Sequence, residues 1–177
     1  MEKTLSKQEI FNGHIVKLSL HTVELPGGKT ATREVIEHPG AVAILPIDEE
    51  DRVYLVKQFR KPLEKEILEI PAGKLNPGED PFQCAQRELL EETGLTASSW
   101  DKITAYYTTP GFTNEFLHVY IASDLTIGTA CPDEDEVLSL VVLPLAEAWR
   151  LVKEGEICDG KSIIALQRLA WQRRIEG

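Results

Sequence analysis

Cysteine is scarce in this chain, with only Cys84, Cys131 and Cys158 among 177 residues. They are far apart, odd in number and form no CxxC pair, which argues against a disulfide framework and against a structural zinc site. Long apolar runs are missing too. No stretch approaches the ~20 apolar residues needed to cross a bilayer, and the opening MEKTLSKQEIFNG lacks the apolar run of a secretory signal. A reducing cytoplasm is therefore the expected compartment. Basic residues are outnumbered, 19 Lys and Arg against 29 Asp and Glu, for a formal net charge of -10. That balance argues against nucleic acid and membrane as partners, because both need a cationic face. Phosphates stay open, since divalent cations or local arginines invert the charge where it matters. Internal repeats and low-complexity tracts are absent as well.

What is present is the material of one soluble domain. Hydrophobic residues make up 42% and charged residues 27%, ordinary for a globular chain of a size that buries roughly 70% of its unfolded surface. Residues 14–37 alternate apolar and polar positions around PGGK at 26–29, which predicts two hairpin-paired strands. AVAILPID and RVYLVKQF read as buried strands separated by a turn at 49–52, and EILEIPAG as one more strand leading into a loop at 73–79. Further strands are expected at 102–109, 115–122 and 137–143. Two helices are expected at 145–154 and 161–174, with Gly155 ending the first. This order is α+β: helices on a mixed sheet, with residues 1–38 as an N-terminal accessory antiparallel sheet on a core of 39–177.

The densest chemistry lies in GKLNPGEDPFQCAQRELLEETGL, residues 73–95. Asp80 is placed to cap a helix, Pro81 suits its first position, Gln83 stands where a capping-box partner reaches back, and Gly94 suits the left-handed stop. The predicted helix is 81–93. At 100° per residue, Phe82, Ala85, Leu89 and Thr93 share an arc of about 80° that should pack on the sheet. Arg87, Glu88, Glu91 and Glu92 occupy a separate arc of about 140°, with Cys84 in its middle. Like charges at i, i+4 cost a few tenths of a kcal/mol per pair. A solvated face with Arg87 as compensation is one explanation. A divalent cation among the carboxylates is the other, since hard cations take oxygen ligands and hold phosphates for displacement. Helical geometry alone leaves both open.

The loop spacing separates them. Gly73 precedes Glu79 by six positions, Glu79 precedes Arg87 by eight, and Glu-Leu-x-Glu-Glu-x-Gly-Leu follows at once. This resembles the Nudix box, GX5EX7REUXEEXGU with U aliphatic, at every specified position: Gly73, Glu79, Arg87, Glu88, Leu89, Glu91, Glu92, Gly94 and Leu95. The resemblance implies an α/β/α sandwich and a hydrolase that cleaves nucleoside diphosphates linked to a further group. It implies Mg²⁺ as cofactor, with Mn²⁺ as a substitute. It makes Glu88 and Glu92 the main metal ligands, with Glu91 contributing, Glu79 bonding directly or through water, and Arg87 orienting the carboxylates. The carbonyl of Ala72 would complete the metal shell, and Gly73 lets the backbone approach the ion. Cys84 reads as a small residue tolerated where bulk would block the site.

Flanking segments narrow the resemblance. EIPAGK at 69–74, VKQFRKP at 56–62, EHPGAVAILP at 37–46 and YYTTPGFTNE at 106–115 are similar to the ADP-ribose pyrophosphatase branch, as is the tail GEICDGKSIIALQRL. Pro110 lies fifteen residues beyond Leu95, where that branch carries a marker proline; Thr109 replaces the usual serine before it. The similarity covers about residues 33–170. It implies cleavage of ADP-ribose to AMP and ribose 5-phosphate. Another nucleoside-diphosphate sugar, such as GDP-mannose, is the near alternative. A non-catalytic ligand sensor on the same fold is the distant one, which the intact Glu88, Glu91 and Glu92 oppose; an isomerase would carry a degenerate box.

Candidate substrate contacts follow from ligand chemistry. Arg60 suits phosphate, because a guanidinium grips two oxygens at once, and Arg33 serves likewise. Glu69 and Glu115 are candidate contacts in the matched segments, and Phe112 either packs on a base or, by preference, anchors its loop. In similar enzymes an acidic loop after the box supplies the general base. Here that loop is CPDEDEV, 131–137, with Asp133, Glu134, Asp135 and Glu136 as candidates; Glu134 is favoured and Glu136 second. Residues 1–38 carry no catalytic signal; in the resembling branch such a sheet builds a homodimer with shared sites.

Overall fold

The computed structural model describes residues 1–130 and 137–175. They cluster into two compact units, Met1–Gly40 with Tyr106–Leu117, and Ala41–Ala105 with His118–Gly177. No described helix is long and apolar enough to cross a membrane.

The first unit is built on a three-stranded antiparallel sheet in the order β1 (Lys3–Asn12), β2 (Lys17–Glu24), β3 (Thr30–Glu37). The β2–β3 hairpin is the one the alternation predicts. Its turn needs two left-handed residues, supplied by Gly27 and Gly28 at φ 97° and 84°. β1 was not expected as a strand. Its ten residues are all exposed, and register shifts between Thr4 and Ser6 and between Glu9 and Phe11 break the two-residue period that would have revealed it. Segment 106–117 ties to β3 through the Ile36 N–H on the Phe112 carbonyl (2.8 Å) and the His38 N–H on Asn114 Oδ1 (2.8 Å).

In the second unit, β4 (Ala41–Pro46) is buried at all six positions, so both faces must be covered. Val42 and Ile44 face α1 (Pro81–Thr93), where they join Ala85 and Leu89 in the core; α2 (Leu145–Glu154) and α3 (Gly160–Gln172) pack against each other and on the side of the unit formed by β4 and β5 (Arg52–Arg60). Each such buried aliphatic side chain contributes about 1.5–3 kcal/mol. The strands make two sheets, β10 (Leu138–Pro144), β5 (Arg52–Arg60), β6 (Lys65–Glu69) in that order, and β7 (Ala72–Lys74), β4, β9 (Phe116–Ile127), β8 (Leu95–Tyr107).

The segment EILEIPAG, expected as one strand, is two. Glu69 ends β6 in one sheet and Ala72 begins β7 in the other, with Ile70 and Pro71 between them. Pro71 has no N–H to donate to a ladder, yet its carbonyl accepts from Ile44 N at 2.8 Å. α1 has the predicted bounds. The Asp80 carboxylate accepts from the N–H groups of Phe82 (2.9 Å) and Gln83 (3.2 Å), and Gly94 closes the helix at φ 71°.

Asp48 organises the turn between β4 and β5. Its Oδ1 accepts from Glu50 N and Arg52 N, and its Oδ2 from Arg52 Nε at 2.8 Å and the Tyr54 hydroxyl at 3.0 Å. Burial pushes this carboxyl up, but the Arg52 backbone and side chain and the Tyr54 hydroxyl outweigh it and hold the pKa below the usual range. A depressed folded pKa stabilises above the ordinary carboxylate range, and that stability is lost as pH falls through the folded value. Asp48→Asn should therefore cost about 1 kcal/mol at neutral pH, and the gap from wild type should shrink as urea melts are repeated below pH 4.

Candidate active site

Arg87 is the hub of the charged face of α1. Its Nε and Nη2 grip both oxygens of Glu79 at 2.9 and 3.0 Å, while Nη1 donates to Glu88 Oε1 at 2.7 Å and Glu91 Oε2 at 2.8 Å. Nη2 also reaches the Lys74 carbonyl at 3.3 Å, tying the helix to β7. Hydrogen bonding to Arg87 above all holds the Glu79 carboxyl down to about 2, and the same bonds raise Arg87 further. One guanidinium thus offsets the repulsion among three carboxylates. Cys84 lies beneath it, fully buried in the core, and desolvation pushes its thiol up to about 12. A neutral, enclosed thiol is a packing residue.

Glu88 and Glu92 sit one turn apart on α1 and are only 9% and 7% exposed. The Glu92 carboxylate accepts the Ala72 N–H at 3.1 Å. Gly73 lies directly against Glu88, and a Cβ added there would stand 1.9 Å from the carboxyl carbon and 2.0 and 2.2 Å from its oxygens. Only glycine leaves that space to the carboxylate. Among the described residues, no group of three or more His, Cys, Asp and Glu is arranged around one cation position. Glu79 and Glu91 are turned to Arg87 instead. Glu88, which also bonds to Arg87, and Glu92 are enclosed carboxylates beside the backbone at Ala72, and such oxygens suit a hard divalent cation, which commonly takes one or two carboxylates and fills its shell with water and phosphate oxygens.

A second charged network adjoins Glu92. Glu69, at the end of β6, is 2% exposed, and Arg60 grips it bidentately through Nε at 2.6 Å and Nη2 at 2.9 Å. Lys161 donates to the same Glu69 Oε2 and pairs with Asp159 at 3.0 Å. Asp159 caps α3 by accepting from Ser162 N at 3.1 Å and Ser162 Oγ at 2.7 Å, and Ser162 Oγ accepts the Ile70 N–H at 2.8 Å. The Glu69 bond, opposed by burial, raises the Arg60 pKa, and the charges of Glu69, Glu92 and Asp159 add to it. Glu69 was expected to touch substrate, but both its oxygens are engaged by protein cations. Lys161 was not among the expected site residues. Its signals were its place in the matched tail segment and beside Asp159 at the start of a predicted helix.

The other expected residues lie in the first unit. Arg33 on β3 donates to Glu2 and to the Thr32 carbonyl. Glu115 is paired with Thr108 Oγ1, and its Oε1 stands 3.5 Å from His38 Nε2. Phe112 anchors its loop through its backbone, while its ring is exposed, so the anchor expected of the side chain comes from the main chain. Glu134 and Glu136, with Asp133 and Asp135, lie outside the described residues. A cavity of about 460 Å³ lined by Trp149, Ile164, Arg168 and Trp171 contains no carboxylate and so lacks this chemistry.

The NUDIX domain family matches residues 37–166, and the nucleoside diphosphate sugar hydrolase N-terminal domain matches residues 2–36. An ADP-ribose pyrophosphatase of Bacillus subtilis (strain 168) is 46% identical over 177 residues, covering 99% of this chain and 96% of that one. A methanol dehydrogenase activator of Bacillus methanolicus is also 46% identical, with the same coverage. A crystal structure of an ADP compounds hydrolase superposes with a TM-score of 0.86 at 21% identity, covering 98% of this chain and 94% of that one. The likeness to that structure establishes the sandwich fold with its N-terminal sheet.

Gly73→Ala should displace the Glu88 carboxylate and weaken Mg²⁺ binding, measured by calorimetry, by about tenfold or more.

Proposed function

This chain belongs to the Nudix family, and from that premise we propose that it hydrolyses the pyrophosphate of ADP-ribose to AMP and ribose 5-phosphate. The observation that carries the reading is the enclosed Glu88–Glu92 pair against Gly73, with Arg60 within reach of Glu92's charge. The full-length similarity to an ADP-ribose pyrophosphatase supports the substrate. Glu88, Glu92 and the Ala72 carbonyl would hold Mg²⁺, with Mn²⁺ as a substitute. That cation supplies neutralisation of the pyrophosphate and a lower pKa for the attacking water.

The chain's own residues do the rest. Arg60 grips a phosphate oxygen and fixes the pyrophosphate. Arg87 keeps Glu79 and Glu91 drawn together, so that α1 tolerates its glutamates. An acid of the 133–136 loop, Glu134 first and Glu136 second, takes the proton of the attacking water. The water oxygen bonds to one phosphorus, the bridging P–O bond breaks, and the two monophosphates leave. Arg33, Phe112 and Glu115 are assigned to the remainder of the nucleotide sugar.

GDP-mannose is the alternative substrate. The equal similarity to a methanol dehydrogenase activator favours a second reading, stimulation of a dehydrogenase, which is assayed by adding the chain to methanol dehydrogenase. The compartment is the cytoplasm, a reading the free thiols of Cys84 and Cys158 support. A homodimer is the assembly. Its support is β1, whose Leu5, Ile10 and Phe11 are all exposed in the single chain and would be covered by a second copy.

With Mg²⁺, a panel of nucleotide sugars should show AMP release from ADP-ribose well above turnover of GDP-mannose. No turnover of any member would refute the enzyme, and a preference for GDP-mannose would refute the substrate. Glu92→Gln should reduce turnover by about 100-fold or more while melting near wild type. Light scattering in solution should give twice the 19.8 kDa chain mass; a monomer would refute the shared assembly.

A further inference from the structure

The Arg60–Glu69–Lys161 cluster has features that a purely structural ion network lacks. Its arginine is not enclosed: the Arg60 side chain is 40% exposed, and the edge that bonds to Glu69 is its Nε–Nη2 edge. Its carboxylate is enclosed, and it is shared between two cations. The second cation, Lys161, is 12% exposed and committed to Glu69 and Asp159, so it is spoken for within the protein.

We propose that Lys161 is a positioning residue for the substrate's pyrophosphate, holding Glu69 so that Glu69 in turn fixes the Arg60 guanidinium beside Glu92. This rests on the hydrolytic reading above and names what aims its phosphate contact. Arginine loses up to about 2 kcal/mol of side-chain entropy when it is ordered. A guanidinium already clamped along its Nε–Nη2 edge has met that cost before substrate arrives, and it presents its remaining edge in one orientation. Bidentate geometry matters because Glu69 accepts on both oxygens from one planar fork, which sets the plane as well as the position.

Lys161 contributes in two ways. Its bond on Oε2 stops the Glu69 carboxylate from rotating about its terminal torsion, which would carry Arg60 with it. It also shares the negative charge of Glu69, so that Arg60 is less fully neutralised and keeps more of its charge for phosphate. Asp159 does not undo this, because its carboxylate is taken up by the N-terminus of α3 through Ser162 N and Oγ. The same Ser162 hydroxyl accepts the Ile70 N–H, so the residue following Glu69 is pinned to α3 as well. Substrate grip on β5 thus depends on the start of α3, about a hundred residues further along the chain.

The test compares Lys161→Met and Lys161→Arg with wild type, each alone and with Arg60→Ala. The readouts are steady-state kinetics on ADP-ribose with Mg²⁺ and calorimetric affinity for a methylene-bridged ADP-ribose analogue. Lys161→Met should raise KM and Kd about tenfold, with the loss falling in affinity and not in kcat, and Lys161→Arg should restore most of it. In the Arg60→Ala background Lys161→Met should add less than about twofold, because its effect passes through Arg60. Unchanged affinity in folded Lys161→Met, or the full tenfold loss without Arg60, would overturn the assignment. If Lys161→Met does not fold, Lys161→Gln is the replacement in the same comparison. Should wild type neither cleave nor bind ADP-ribose, the hydrolytic reading fails, and inorganic pyrophosphate with Mg²⁺ becomes the probe of the same Lys161 and Arg60 cycle.

Discussion

Glu88 and Glu91 on one helix face and Glu79 just before that helix repel one another, and the whole site depends on the single guanidinium that reconciles them. Arg87 bonds to Glu79, Glu88 and Glu91 at once and to the Lys74 carbonyl. It therefore joins the loop before α1, the helix itself and strand β7 into one body. Without it, Glu88 and Glu91 would oppose each other across one turn of helix. Glu88 and Glu92 themselves lie far enough within the protein to lose most of their exposure.

The rest of the architecture serves to bring backbone up to that face. β4 is covered on both sides, which fixes its position absolutely; β7 pairs with it, and so Gly73 is delivered against Glu88. Two residues upstream the chain changes sheets at Ile70 and Pro71. That change puts Glu69 and Ala72 in different ladders, the first feeding the Arg60 network and the second bonded to Glu92. A short stretch of chain thus feeds both the carboxylate face of α1 and the Arg60 network. Rigidity follows from the same feature, since every charged group in both networks has a partner held by regular structure.

Much of α1 was legible in advance, and for a local reason. Its cap at Asp80, its stop at Gly94 and the clustering of Glu88, Glu91 and Glu92 follow from helical period and from residues within four positions of one another. The β2–β3 hairpin was legible from Gly27 and Gly28 for the same reason. β1 was not, because bulges interrupt its alternation and none of its residues is buried to mark an inward face. Pro71 was visible in the sequence but its consequence was not, since a strand break and a change of sheet look alike until partners are known.

The sequence by itself determined the family, the helix that carries the box and the identity of the acids on it, because spacing along one helix converts directly into direction. Only the tertiary structure decided what those acids touch. It drew Glu79 and Glu91 to Arg87, enclosed Cys84, and turned Glu69 from an apparent substrate contact into the clamp between Arg60 and Lys161. Glu69 and Lys161 are 92 residues apart. No local period relates two such positions; the assembled fold brings the end of β6 beside the start of α3, where Glu69 meets Lys161 and Ile70 meets Ser162.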